Sequence, residues 1–402
     1  MASRQKSGRV RSLAICMALA VNLMAPSVLL AATEKEEILD LLAARRYPEL
    51  DRRLNDVQRG YVKGEVSELD LLETFRAFYT TDPKLHDPFH EWAKLYPRSY
   101  AARLARGIYN KRIGGEYRGD GFAAETPRYR MELMAAFYEK AMTDFEASLE
   151  LEEKPILTYL YMMDIQKYSG RWSITLWFWR LWINPNRYTL NQALALAPDS
   201  FILRRKFMHT LEARWGGVPG EMEAFFAESR KARLKREELD ALLALVHADR
   251  GWQRYVRRDF VSAFNEYERA SKLIDVTSDR LFEYNMRSVF LHGIASGYYG
   301  VQKHQEALAW FDKAIAAGAD EAGLYASRGW SLRQLNRKKE ALDDYMKAAQ
   351  KGDAWAQNQV GIHYWHGILV DQNRDEARKW FKRSAEQGFA EGKKHLEWAN
   401  KL

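Results

Sequence analysis

Apolar residues recur at helical spacing along almost the whole chain, and short runs of Gly, Pro and Asp interrupt them. This spacing puts the apolar side chains on one face of a helix, whereas a half-buried strand needs strict alternation, which is missing here. The pattern therefore predicts an all-α protein. At roughly two helices per 34–40 residues, we expect about 16 to 18 helices.

Three segments near the C-terminus repeat one pattern at intervals of 34 and 36 residues. They read EALAWFDKAIAAG (306–318), EALDDYMKAAQKG (340–352) and EARKWFKRSAEQG (376–388). Such a period marks one supersecondary unit, which buries its apolar face only by stacking on copies of itself. The repeats therefore predict a solenoid of helix hairpins.

Small and aromatic residues alternate in these repeats in a way that fits closely packed helix pairs. Gly329 and Ala341 are small enough for two helices to approach, and Tyr345 would fill the space between this pair and its neighbour. Two earlier copies carry the same pattern: Ala295, Tyr298, Ala307, Phe311 and Ala314, and then Gly251, Ala263, Tyr267 and Ala270. The spacing resembles tetratricopeptide repeats.

The last unit is longer and resembles the Sel-like repeat, with an extra loop at 367–374 between its helices. The residues that carry this resemblance are Ala356, Gly361, Tyr364, Gly367, Asp371, Ala377, Trp380, Phe381, Ala385, Gly388 and Ala390. Residues 391–402 are predicted to form a terminal capping helix. The two resemblances imply a right-handed α–α superhelix whose inner face commonly contacts a peptide or protein.

The N-terminal half is predicted to be helical but less regular. Ala141, Phe145 and Ser148 indicate a degenerate second helix of a repeat, and residues 107–121 are interpreted as a glycine-rich insertion. With the Arg-Trp-Gly-Gly run at 214–217, this region resembles an uncharacterised bacterial family, a domain of unknown function. That resemblance implies no activity.

The first 32 residues have the form of a secretory signal. Four bases (Arg4, Lys6, Arg9 and Arg11) precede an apolar stretch at 13–30, and Ala31-Ala32 follows. We predict cleavage after Ala31 or Ala32, which leaves a periplasmic or secreted protein; an uncleaved N-terminal membrane anchor is the alternative. The predicted organisation is a signal at 1–32, an irregular helical domain at 33–235 and a repeat domain at 236–402.

Net charge and cysteine content limit the kinds of partner and site that the chain could have. The formal net charge of +8 falls to about +4 once the four signal-region bases are subtracted. The basic clusters at 204–206 and 230–236 are interpreted as solvated helix faces. The one cysteine, Cys16, lies in the signal, so a mature chain would hold neither a disulfide nor a metal–thiolate site.

No catalytic or cofactor constellation stands out. The glycines at 114–121 lack the preceding strand and the Lys-Ser/Thr of a phosphate-binding loop, so we interpret them as a loop. His86 and His90 are four residues apart, but Pro88 suggests that the helix starts after His86, with Asp87 as its N-cap. We predict no enzyme activity, no cofactor and no metal.

Tryptophans mark the candidate binding residues. The segment RWSITLWFWRLW at 171–182 is apolar nearly all round and too short to cross a bilayer. Either neighbouring helices bury it, or it is an exposed aromatic patch that would dominate an interface. A second candidate precedes a tight connection at 216–220, where the indole would be wedged structurally or exposed. The candidates are Trp172, Trp177, Trp179, Arg180, Trp182, Arg214 and Trp215.

The leading hypothesis is an exported, non-enzymatic scaffold that binds a protein or peptide in the bacterial envelope, and nucleic acid is not an expected partner. The first alternative is a protein associated with a membrane surface through residues 172–182. An envelope hydrolase is the second. Oligomeric state stays open.

Overall fold

A computed structural model of the chain describes residues 26–118, 126–169, 184–274, 281 and 286–401. Within these residues lie 19 α-helices, three short 3-10 helices and no strand. The predicted fold class, an all-α solenoid of helix hairpins, is confirmed. The chain forms two compact units, Met1–Thr210 and Leu211–Leu402, which divide nearer the N-terminus than the 235/236 boundary drawn from the sequence.

The N-terminal unit contains nine of the described α-helices and two 3-10 turns, Arg76–Phe78 and Pro83–Leu85. The helices are α1 (Pro26–Ala43), α2 (Tyr47–Lys63), α3 (Glu68–Phe75), α4 (His86–Leu95), α5 (Tyr100–Arg118), α6 (Arg128–Leu149), α7 (Ile156–Ser169), α8 (Pro185–Leu196) and α9 (Phe201–Thr210).

The C-terminal unit opens with a 3-10 turn at Ala213–Trp215, and ten α-helices follow in the described residues. They are α10 (Glu221–Ser229), α11 (Arg236–Val256), α12 (Phe260–Ile274), α13 (Met286–Gly300), α14 (His304–Ala316), α15 (Ala322–Gln334), α16 (Lys338–Gln350), α17 (Ala354–His366), α18 (Arg374–Glu386) and α19 (Ala390–Ala399). Consecutive helices from α11 to α18 pack as four hairpins, and α19 packs on α18 at the position of the predicted cap.

Capping residues mark the start of α17, the end of α17 and the start of α18. Asp353 accepts a hydrogen bond from the backbone of Ala356, and Asn373 accepts one from Glu376, so α17 and α18 start with satisfied amides. Gly367 ends α17 with a φ of 66°, a left-handed conformation that glycine adopts without strain. The loop between α17 and α18 therefore lies where the Sel-like resemblance placed it.

The predicted pairing of small and aromatic residues is confirmed in the C-terminal hairpins. A Cβ added at Gly329 would lie 2.7 Å from the Tyr345 ring, and one at Gly361 would lie 2.5 Å from the Phe381 ring. Tyr267 packs against Gly251 of its own hairpin and against Gly293 of α13, so one ring fills the gap between a pair and its neighbour.

The same packing occurs in the N-terminal unit, where α5 and α6 form a hairpin. A Cβ at Gly107 would lie 2.4 Å from Phe145, and one at Gly114 would lie 2.6 Å from Tyr138. Ala141 and Phe145 lie on α6, the second helix of this hairpin, and the interpretation of α6 as a degenerate repeat helix stays a prediction. The interpretation of residues 107–121 as an insertion is wrong up to residue 118, because Gly107 and Gly114 lie inside α5 and face α6.

Candidate partner-binding surface

Two tryptophans on the first helices of neighbouring hairpins form a partly exposed aromatic surface in the C-terminal unit. The ring centroids of Trp330 (α15) and Trp355 (α17) are 5.8 Å apart and meet edge to face. The guanidinium of Arg333, one turn after Trp330, lies 5.5 Å from the centre of the Trp330 ring, and its side chain is exposed. We call Trp330, Arg333 and Trp355 the tryptophan–arginine surface.

The hairpin packing determines which way these side chains point. Gly329 faces α16 because the Tyr345 ring occupies the space beside it. Trp330 is the next residue, so it points about 100° further round the helix, away from the hairpin contact. Tyr345 then supports the surface from below, since its ring meets Trp355 edge to face at 5.2 Å.

An ion-pair network holds α15 against its neighbours beneath this surface. Arg328 donates two hydrogen bonds of 2.7 Å to the carboxylate of Asp344 and a third of 2.7 Å to Asp312. These bonds, above all those to Asp344, raise the pKa of the Arg328 guanidinium and keep it charged. Because Asp344 is buried and held at both oxygens, the hairpin has a fixed register.

Tyr345 stays neutral at physiological pH. Burial raises the pKa of its hydroxyl to about 12, and the nearby Arg333 guanidinium opposes that rise. The tryptophan–arginine surface therefore offers ring faces, ring edges and one exposed cation. These groups stack on apolar side chains and pair with carboxylates, which is the chemistry of binding rather than of proton transfer.

No group of three or more His, Cys, Asp or Glu side chains in the described part of the chain is placed to hold a metal ion. The prediction that His86 lies outside a helix is wrong, because α4 begins at His86 and the 3-10 turn before it leads directly into the helix. The His86 and His90 rings lie 4.3 Å apart on that helix, and Nδ1 of His90 is 2.8 Å from the His86 carbonyl oxygen.

Five of the seven binding candidates from the sequence lie outside the described residues: Trp172, Trp177, Trp179, Arg180 and Trp182. The other two lie in the 3-10 turn of the C-terminal unit. The Arg214 guanidinium forms an ion pair with Glu212 and lies 5.7 Å from the Trp215 ring centre, and Trp215 is 38% exposed. The structure places Arg214 and Trp215 against each other, and their role in binding stays a prediction.

The interpretation of residues 204–206 as a solvated face is wrong. Arg204, Arg205 and Lys206 are all buried, and Arg204 donates hydrogen bonds to the carbonyl oxygens of Ser200 and Pro198. The carbonyl groups satisfy the guanidinium inside the unit, which a count of charges along the sequence does not reveal. By contrast, Arg230, Lys231, Arg233, Lys235 and Arg236 are exposed, as predicted.

A partly buried carboxylate surrounded by lysines connects α5, α7 and α9. Asp164 forms an ion pair with Lys111, and its Oδ1 lies 3.5 Å from Nζ of Lys206 and 3.8 Å from Nζ of Lys167. Burial alone would raise the pKa of the Asp164 carboxyl, but the three ammonium groups hold it well below its usual range. Sequence reasoning missed this cluster, because its members are far apart in the chain.

Two family models match parts of the chain. Residues 34–178 match a domain of unknown function, DUF4034, and residues 290–318 and 356–389 match the Sel1 repeat. The chain is also 31% identical over 140 residues to chitin synthase regulatory factor 3 of Schizosaccharomyces pombe. That stretch is 31% of this chain and 15% of the yeast protein, so the chain matches only a small part of that relative's length.

Solved structures with similar folds share little sequence with the chain. YrrB, described as a TPR protein with an unusual peptide-binding site, is 16% identical with a TM-score of 0.34, and the match covers 53% of this chain and 98% of YrrB. The protein c5321, a protective antigen of uropathogenic Escherichia coli with an SLR fold, is 14% identical with a TM-score of 0.39, and the match covers 87% and 90%.

Proposed function

We propose that this chain, which carries a DUF4034 domain and Sel1 repeats, is a non-enzymatic scaffold of the bacterial envelope that binds a protein or peptide partner. The observation that carries the proposal is the tryptophan–arginine surface on the first helices of two hairpins. Repeats of this class support protein–protein interaction. A continuous solenoid face extends such a surface over several repeats.

The ligand that fits this surface is a protein segment with an apolar side chain beside an acidic one. The apolar side chain would pack against the Trp330 and Trp355 rings, whose burial in an interface removes large areas from water. The acidic side chain would pair with the guanidinium of Arg333, which lies over the Trp330 ring and belongs to an exposed residue.

The N-terminal sequence supports the envelope location. Its bases, apolar stretch and Ala31-Ala32 have the order of a secretory signal. Among the described residues, no helix is both long enough and apolar enough to cross a membrane. Cell fractionation with N-terminal sequencing of the recovered chain tests both export and cleavage, and recovery of an unprocessed chain from the cytosol would contradict them.

The binding proposal is tested with a double variant, Trp330→Ala with Trp355→Ala. The full chain and the variant serve as baits in envelope extract, and the captured proteins are compared quantitatively and then titrated as purified partners. We expect the partner's affinity to fall at least about 100-fold, because two aromatic anchors of an interface are removed.

Trp398→Ala is the matched control, since Trp398 is an exposed tryptophan of the same unit on α19, outside the surface. The affinity of this control variant for the partner should stay within about twofold of the wild-type value. Equal capture by the double variant and the control would refute the proposal. Flotation of the chain with liposomes would favour the membrane-surface alternative, and hydrolysis of peptidoglycan abolished by one carboxylate substitution would favour an enzyme.

A further inference from the structure

The N-terminal unit contains an open cleft of about 670 Å³ beside α2 and the segment that leads into α5, with both polar and apolar walls. Three arginines line it, Arg52 and Arg59 from α2 and Arg98 from the segment before α5. Tyr96 and Leu151 contribute less polar walls. The volume lies in the range of small-molecule sites in proteins, roughly 300 to 1,000 Å³.

Hydrogen bonds within the protein fix the wall of the cleft at the start of α5. Asn55 accepts a hydrogen bond from the backbone of Ala101 and donates one of 3.2 Å to the hydroxyl of Ser99. The Ser99 hydroxyl in turn accepts one from the backbone of Ala102. The first amides of α5 are therefore satisfied by side chains, and the arginines are left as the groups that would bind a ligand.

The carboxylates that line the cleft are already engaged. Asp51 accepts hydrogen bonds from the Trp92 indole at 3.1 Å and from Asn55 at 3.1 Å. Glu152 accepts one of 2.8 Å from the backbone of Glu153. Of the arginines, Arg59 pairs with Asp56. The side chains of Arg52 and Arg98 are exposed and form neither a hydrogen bond nor an ion pair with another described residue.

We propose that this cleft is a binding site for a small ligand with an oxyanion group, a carboxylate or a phosphate, held by Arg52 and Arg98. The planar guanidinium donates paired hydrogen bonds to both kinds of anion. The Tyr96 ring gives the rest of such a ligand a surface to pack on. The site belongs to the N-terminal unit and is independent of the tryptophan–arginine surface.

The test titrates the full chain with inorganic phosphate and, separately, with citrate by calorimetry at constant ionic strength. We expect saturable binding of at least one anion, and the stronger of the two identifies the phosphate or the carboxylate source. In the double variant Arg52→Gln with Arg98→Gln, the affinity should fall about tenfold or more, because both charge-assisted contacts are lost.

The control is Arg230→Gln with Lys231→Gln, which removes the same charge from exposed positions outside the cleft and should change the affinity less than about twofold. The unfolding midpoint of each variant shows that it is folded, and Arg98→Glu alone serves if the double variant is not. The inference is overturned if neither anion binds saturably, or if the cleft variant binds as tightly as the control.

Discussion

One hairpin in each unit combines an arginine, a glycine, an aspartate and an aromatic ring in the same arrangement, and the two hairpins differ in what surrounds them. In α5–α6, Gly107 lies under Phe145 and Arg106 pairs with Asp144; in α15–α16, Gly329 lies under Tyr345 and Arg328 pairs with Asp344. In both, the arginine precedes the glycine and the aspartate precedes the ring. This arrangement fixes the register of a helix pair whether or not the pair carries a binding surface.

The surroundings give the two hairpins different roles. Asp144 is shared by a second arginine, Arg103, at 3.3 Å, and the Phe145 ring stacks on Tyr161 of α7 at 6.0 Å, so this hairpin is closed into the core. Arg328 is shared by a second aspartate, and Tyr345 contacts a tryptophan that is only partly buried. The binding surface therefore depends on the residues around this arrangement of arginine, glycine, aspartate and ring, and not on the arrangement itself.

Removing the carboxylate should produce the largest difference between the two hairpins. Asp144→Ala leaves two arginines without their shared partner, and we expect it to lower the free energy of unfolding by about 3 kcal/mol. Asp344→Ala leaves Arg328 paired with the exposed Asp312, so we expect a smaller loss of about 2 kcal/mol.

Hydrogen exchange with mass spectrometry on the full chain measures each hairpin separately. Glu146→Ala and Asp343→Ala remove exposed carboxylates from the same second helices and should each cost under about 0.5 kcal/mol. A larger loss for Asp344→Ala than for Asp144→Ala would contradict the account of the shared partners.

The next largest loss of stability is expected from filling the space beside the two rings. Gly107→Ala and Gly329→Ala place a Cβ 2.4 Å and 2.7 Å from a fully buried ring, so we expect each hairpin to lose about 1 to 2 kcal/mol of stability. Gly107→Ala should cost more, because its contact is shorter. The thermal unfolding midpoint and hydrogen exchange of each variant measure the effect.

The helices themselves supply the matched controls for this prediction. Gly115 of α5 has only the Tyr138 hydroxyl, at 3.9 Å, and Gly323 of α15 has nothing within 4 Å. Alanine at these two positions should stabilise the chain by about 0.5 to 1 kcal/mol, because it restricts the unfolded backbone. If all four substitutions stabilised the chain, the close packing of ring on glycine would not be what holds the hairpins.

The hairpins show which parts of this fold can be predicted from a sequence. Small residues such as Gly329 and rings such as Tyr345 are local signals that recur at a fixed period, so the predicted contacts of the C-terminal repeats are confirmed. The seven-residue spacing of Gly107 and Gly114 puts both on one face of a helix, which is a sequence signal for α5. The interpretation of this segment as an insertion overlooks that spacing and rests on its glycine content alone.

Long-range polar contacts could not be predicted in the same way. The Asp164 carboxylate meets lysines from α5, α7 and α9, and only the folded unit shows that Lys206 is buried rather than solvated. The tryptophan–arginine surface was missed for a similar reason. Trp330 and Trp355 are single aromatic residues in separate repeats, whereas the four tryptophans at 172–182 stand together in the sequence.

The smallest expected difference between the two units is how much stability each loses at acidic pH. Burial lowers the pKa of His292 on α13 below its ordinary 6.5, so the folded C-terminal unit binds a proton there less readily than the unfolded chain does. Its stability is therefore complete above about pH 6.5 and falls as the pH drops below that value, by about 1 kcal/mol or less near pH 5.5. In the N-terminal unit, the depressed pKa of Asp164 keeps this carboxyl ionised well below pH 3.8, so its contribution to stability does not change between pH 7 and pH 5. His86 of the N-terminal unit is exposed, and partial desolvation together with the neighbouring His90 lowers its pKa, so it adds a smaller loss of stability over the same pH range. Burial also lowers the pKa of His304 and of His395 in the C-terminal unit. Hydrogen exchange from pH 7 to pH 5 should therefore show the C-terminal unit loosening first, and His292→Phe should reduce that difference; equal loosening of both units would contradict it.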